Sequence, residues 1–193
     1  MDTYVVYAIK WAHEFCGVED PCKNSFPRTI IDGAKRSLKP RKNFKDYVSV
    51  HILINICHKL GKTGVLRDSR FCAMAVLAFA GFMRISEILN LRRKDLVFYR
   101  DYLTITIRSS KTDKFNSGKT VFISAGESVA CPRKVLLNYL GLSGLIDCDS
   151  DHAVFRSLKL VQGHYVLNPG NKFLHYSVAR KELLFYLKEL GYI

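Results

Sequence analysis

The sequence predicts a mainly helical α+β fold with a small antiparallel sheet, on three observations. Several stretches repeat apolar residues at helical spacing and are bounded by capping residues, by Gly or by Pro. Between them, Leu103, Ile105 and Ile107 alternate with polar residues, and a loop of turn residues leads to a second strand-like run, Lys119 to Ser124. Finally, 48% apolar content over 193 residues excludes wholesale disorder and suffices for one domain with a sizeable core, or for one and a fraction.

Each element has its own local signal. Residues 3–16 place Val5, Ile9, Ala12 and Cys16 on one helical face and stop at Gly17. A loop from Val18 to Pro27 precedes a short helix near 28–38. From Asn43 a helix is expected with Val48, Ile52, Ile56 and Leu60 inward, ending at Gly61. The run from Phe71 to Leu89 is almost unbroken apolar sequence and is expected to be a core helix. After the strand over 102–108, Ser109 to Gly118 forms a hairpin loop and Lys119 to Ser124 the return strand. Pro132 opens a helix through Leu140, and Ser177 caps one reaching Leu190 with Leu183, Leu187 and Leu190 as its stripe. His152 to Gly170 is the least readable stretch, with 152–156 a short buried segment and 165–170 a loop.

Thirty Lys plus Arg against seventeen Asp plus Glu give a formal charge of +13, the electrostatic footprint of a chain that follows a phosphate backbone. Eight basic residues and one acid lie between Lys23 and Lys45. A second concentration comprises Arg92, Arg93, Lys94, Arg108, Lys111, Lys114 and Lys119. The longest apolar run is too short for a bilayer and no signal peptide opens the chain, so a nuclear or cytoplasmic location without membrane contact is expected. Six cysteines without Cys-x-x-Cys spacing read as reduced thiols, and no metal site, Walker loop or dinucleotide fingerprint is visible.

One residue interrupts the apolar run. Burying the Arg84 guanidinium without a partner is prohibitively costly, so an anion is expected beside it. At helical spacing Gly81 leaves an opening on its side and Glu87 supplies a carboxylate to aim the fork. That arrangement is expected to seat a phosphate; the plain alternative is an intrahelical Arg-Glu pair.

The string Gly81-Phe82-Met83-Arg84-Ile85-Ser86-Glu87-Ile88-Leu89 resembles the first-arginine box of the tyrosine recombinases, the phage-integrase and XerD-like enzymes that cut and rejoin DNA. The stretch Phe79 to Glu87, then Ser110-Lys111-Thr112-Asp113, then Cys131-Pro132 is similar in wording and order to the integrases of eukaryotic mobile elements. The resemblance implies a partial catalytic domain over 43–193, preceded over 1–42 by a remnant of the helical core-binding domain and its basic linker. It implies double-stranded DNA as partner, DNA recombination and integration as process, and no cofactor. Arg84 is implied to hold the scissile phosphate with Glu87 beside it, and Lys111 to protonate the departing 5′ oxygen, work suited to a lysine whose proton is mobile. Lys35, Arg36, Arg41 and Lys42 match the strap that grips backbone phosphates, and Arg92, Lys114 and Lys119 surround the half-site.

The family completes its clamp with His-x-x-Arg, a further His or Trp, and a tyrosine nucleophile. None of the six histidines is followed three residues on by arginine, and no matched motif selects Tyr176, Tyr186 or Tyr192 as nucleophile. The expectation is therefore a catalytically incomplete fragment, inactive alone, with homo-oligomers on DNA expected only of a full-length protein. Two alternatives stay open: a non-catalytic DNA-binding module derived from a mobile element, and an unrelated basic RNA-binding helical protein.

Overall fold

The computed structural model describes residues 3–38, 48–108, 118–148 and 151–192. The chain forms two units, Met1–Tyr47 and Val48–Ile193. In the first, helix α1 (Thr3–Phe15) is followed by a 3-10 turn (Pro21–Lys23) and helix α2 (Ser25–Ser37). The loop expected over 18–27 is more ordered than its composition suggests. Asp20 accepts the Cys22 N–H at 2.8 Å and Asn24 caps α2 by accepting the Phe26 N–H at 3.3 Å, so α2 begins earlier than its basic stretch indicates. The inward stripe expected for α1 is not buried: Val5 and Cys16 are exposed.

The second unit is built round helix α4 (Leu66–Ala80). Helix α3 (Val50–Leu60) and helix α6 (Pro132–Leu142) pack on it. Ser49 caps α3, which puts Val48 ahead of the helix and turns the buried face to Leu53, Ile56 and Cys57. Helix α5 (Ile85–Leu89) follows α4 after a break, and a 3-10 turn (Arg93–Asp95) leads into the sheet. Strands β1 (Leu96–Phe98), β2 (Tyr102–Ile107) and β3 (Lys119–Ser124) form an antiparallel sheet in that order, with Leu103 opposite Ile123 and Ile107 opposite Lys119. The alternation read from Leu103, Ile105 and Ile107 is the core face of β2; β1 is too short to have shown a period.

Ala153, Val154 and Phe155 form the expected buried segment. The expected loop after it is a hairpin instead: β4 (Leu158–Val161) pairs with β5 (His164–Leu167). Gln162 and Gly163 both have positive φ, 48° and 82°, the signature of a two-residue turn that matches strand twist. The last helix, α7 (Tyr176–Glu189), is capped by His175, whose Nδ1 accepts the Ser177 N–H, two residues before the expected cap at Ser177. It buries Ala179, Glu182 and Tyr186, while Leu183 is exposed.

The main core joins Leu77, Ile88, Leu103, Ile105, Leu136, Tyr139 and Phe155 across α4, α5, the sheet, α6 and the buried segment. A full burial of this kind contributes about 1.5–3 kcal/mol per large side chain. A second cluster holds α3 against α4 and α7 through Ile56, Phe71, Val76 and Tyr186, whose ring stacks on Phe71 at 4.4 Å. Among the described residues no helix is long and apolar enough to cross a membrane. All six cysteines are free thiols.

Candidate nucleic-acid interface

The structure corrects the expectation that Arg84 lies inside a buried helix. The apolar run is two helices: α4 ends at Ala80, Gly81 caps it, Phe82 takes φ of 49° and is 94% exposed, and α5 begins only at Ile85. Gly81 does not leave an opening; a Cβ there would meet the Met83 side chain at 3.0 Å and the Leu77 carbonyl at 3.1 Å. The break brings Arg84 to the N-terminus of α5, where its side chain is 49% exposed. Glu87 is where the spacing puts it. Its Oε2 accepts the Arg84 backbone N–H at 2.7 Å and its Oε1 accepts from Arg84 Nη1 at 3.2 Å, with the carboxylate almost buried. The short side of the fork is thus fixed from below and the guanidinium reaches solvent.

Beside this pair is a pocket of about 230 Å³ lined by Glu87, Asn90, Arg92, Asp95, Arg108 and Phe173, among others. Asp95 is its buried anchor. Its Oδ1 accepts from Arg108 Nε at 2.8 Å and Nη2 at 2.6 Å, and its Oδ2 accepts the Arg92 backbone N–H at 2.8 Å. The Arg92 guanidinium lies over the Phe173 ring at 5.1 Å and donates to the Asp151 carboxylate at 2.8 Å. Lys94 pairs with the same carboxylate; Lys94 first and then Arg92 hold the Asp151 carboxyl below its ordinary range. Arg108 belongs to the second basic concentration of the sequence, whereas Asp95, Asp151 and Phe173 carried no sequence signal for this site, because each meets its partner only through the fold.

Of the other predicted residues, Lys119 is exposed on β3 opposite Ile107, where the two strands open toward the loop they share. Lys111 and Lys114 fall in residues 109–117, outside the described residues. Lys35 and Arg36 lie on α2 in the first unit, Arg36 exposed, and Arg41 and Lys42 fall outside the described residues. Arg93, counted with the second basic zone, is a structural pin: it donates to the carbonyls of Leu145, Leu96 and Ile146 at 3.2, 3.1 and 3.1 Å. Tyr186 donates to Asp68 and Tyr192 accepts from Asn55, while Tyr176 is exposed. Among the described residues no cluster of His, Cys, Asp or Glu is placed to hold a metal ion.

Arg70 is sealed in the core. Its Nη1 donates to the Arg156 carbonyl and its Nη2 to Glu182 Oε1, joining α4 to α7 and to the buried segment. Arg67 approaches the same carboxylate at 3.6 Å and lies over the Phe185 ring at 4.6 Å.

Helices arranged round a three-stranded antiparallel sheet, with an arginine and a buried glutamate at a helix break beside the root of a β-hairpin, define a recombinase-like fold. Solved structures of tyrosine recombinases share it. XerA recombinase matches over 97% of this chain and 53% of its own, at TM-score 0.51 and 21% identity. XerH site-specific recombinase matches in a post-cleavage complex with palindromic difH substrate (76% of this chain, 36% of that one, TM-score 0.51, 16% identity). It matches again in a pre-cleavage complex with difH (86% and 47%, TM-score 0.50, 15% identity). The chain spans from about a third to about half the length of these proteins. Neither a family model nor a curated protein matches the sequence.

Proposed function

We propose that this chain is a member of the tyrosine recombinase family, similar to the integrases of mobile elements, and that it binds duplex DNA through the arginine half of a phosphate clamp. The observation that carries the reading is Arg84: a cation in an apolar run, turned out to solvent by a helix break and oriented by a nearly buried Glu87. A fixed, half-exposed guanidinium can take a phosphate oxygen with no rearrangement of the core. The XerH structures, which hold difH substrate, support DNA as the partner.

In this reading Arg84 neutralises charge at phosphorus, and Lys111, on the hairpin whose strands end beside the same pocket, protonates the leaving oxygen. Arg92 and Lys119 contact flanking phosphates with Lys114, and Lys35, Arg36, Arg41 and Lys42 grip the backbone from the first unit, the counterpart of a core-binding domain and its linker. In-line attack needs a covalent nucleophile, and these residues contain no His-x-x-Arg and no motif-matched tyrosine. In this reading the chain by itself binds and does not cleave, and it acts in the nucleus or cytoplasm.

The test is competition between duplex DNA and structured RNA at moderate salt, for the wild-type chain and Arg84→Ala. Duplex preference is expected, with about tenfold weaker duplex binding by the variant at unchanged fold, the loss of one charge-assisted contact. RNA preference, or an Arg84→Ala chain that binds duplex as tightly as wild type, overturns it.

A further inference from the structure

The sheet has a second face that the duplex site does not use. Leu103, Ile105 and Ile123 turn into the core, so the alternate residues of β2 and β3 face the other way. There the register places Val97 beside Thr104, Thr104 beside Phe122, and Tyr102 beside Ser124. Phe122 is 70% exposed, Tyr99 44% and Tyr102 37%. Their rings form a strip: Tyr99 and Tyr102 stack at 4.4 Å with planes 14° apart, and Tyr102 meets Phe122 at 6.2 Å. The strip lies at the opposite end of β2 from Ile107 and the candidate pocket.

We propose that this face is a stacking platform for the unpaired bases of single-stranded nucleic acid. Three of its exposed side chains are aromatic, with Val97 beside them, and the exposed Ser124 stands opposite Tyr102 with a hydroxyl able to meet a base edge. The charge fits the same occupant. Arg100 sits in the turn between Tyr99 and Tyr102, exposed and in no ion pair with a described residue, and Arg133 is fixed at the edge of the strip by donating from Nε to the Tyr99 carbonyl at 2.8 Å. A base needs an open face to stack on Phe122, and the faces of paired bases are covered in a duplex. Single strands are therefore preferred here, by stacking with backbone phosphates at the arginines. This site is independent of the Arg84 reading.

The experiment is fluorescence anisotropy of labelled oligo(dT) and oligo(U), about twelve nucleotides long, with wild type, Phe122→Ala, Phe122→Leu and Phe122→Tyr. Phe122 is exposed, so all four fold alike, and circular dichroism checks it. Alanine and leucine are each expected to weaken binding about tenfold or more, since leucine keeps apolar bulk and loses the π-face, while tyrosine retains affinity and duplex binding is unchanged throughout. Equal affinity for the two oligonucleotides supports recognition through the base faces, and a preference supports it while adding a contribution from the sugar hydroxyl or the thymine methyl. Leucine binding as well as phenylalanine, no effect of alanine, or an equal loss of duplex binding overturns the proposal.

Discussion

Arg70→Ala is expected to destabilise the larger unit far more than any surface substitution of an arginine in it. The guanidinium is 2% exposed and ties α4 to α7 through Glu182 and to the buried segment through the Arg156 carbonyl. Removing it leaves Glu182, 7% exposed, with Arg67 at 3.6 Å as its remaining ion partner, and Oε2 has no hydrogen-bond partner among the described residues. Breaking a buried pair from one side costs about 3–5 kcal/mol, a large share of a typical stability of about 5–15 kcal/mol. At about 2–4 °C per kcal/mol for a unit of this size, the melting temperature should fall by roughly 10 °C. The double replacement Arg70→Met with Glu182→Leu removes both charges together and should recover at least half of that loss. Thermal unfolding followed by circular dichroism reads all three. A shift under about 2 °C for Arg70→Ala would refute the claim that this pair holds α7 in place.

Other expectations follow from the same geometry. Burial, most of all, raises the Tyr139 and Tyr186 phenols above their ordinary value of 10.0, and the bond to Asp68 adds to this at Tyr186. The unfolded chain therefore loses these protons first: the stability they carry is intact below pH 10 and declines as pH rises above it. In an alkaline absorbance titration Tyr139 and Tyr186 should ionise only with unfolding, and ionisation of either in the folded state near its ordinary value would contradict this. Asp151→Asn should release Arg92 and Lys94, tightening duplex binding several-fold and steepening its salt dependence; weaker binding would show that Asp151 positions these cations productively instead. A thiol reagent should modify exposed Cys16 quickly and Cys57, Cys72 and Cys131 only on unfolding, with Cys72 pushed up further by its Cys57 neighbour; rapid labelling of all six would disprove the packing of α3 on α4.

How much of this was legible in the sequence depends on how local each cause is. The β2–β3 hairpin, the start of α6 at Pro132 and the placement of Glu87 beside Arg84 follow from neighbours a few residues apart, and all three could be read. The break at Gly81–Phe82 could not, because an apolar turn has the same composition as an apolar helix; only the positive φ of Phe82 separates them. Arg70 was passed over because it follows Arg67-Asp68-Ser69 and looks like part of a polar turn, while its carboxylate lies 112 residues away. The β4–β5 hairpin did carry a signal, Gln162-Gly163 between alternating residues, weaker than Asn-Gly because glutamine rarely takes positive φ. Asp95 is the clearest omission at the site: its three hydrogen bonds unite Arg92 and Arg108, and a lone aspartate before a strand gives no hint of that.

The central claim is that Arg84 meets a DNA phosphate, and a structure of the chain bound to a duplex tests it directly. A backbone phosphate is expected within hydrogen-bond distance of the Arg84 guanidinium, with Glu87 still holding its other side. A duplex bound elsewhere on the chain, with Arg84 contacting Glu87 and no phosphate, would contradict it.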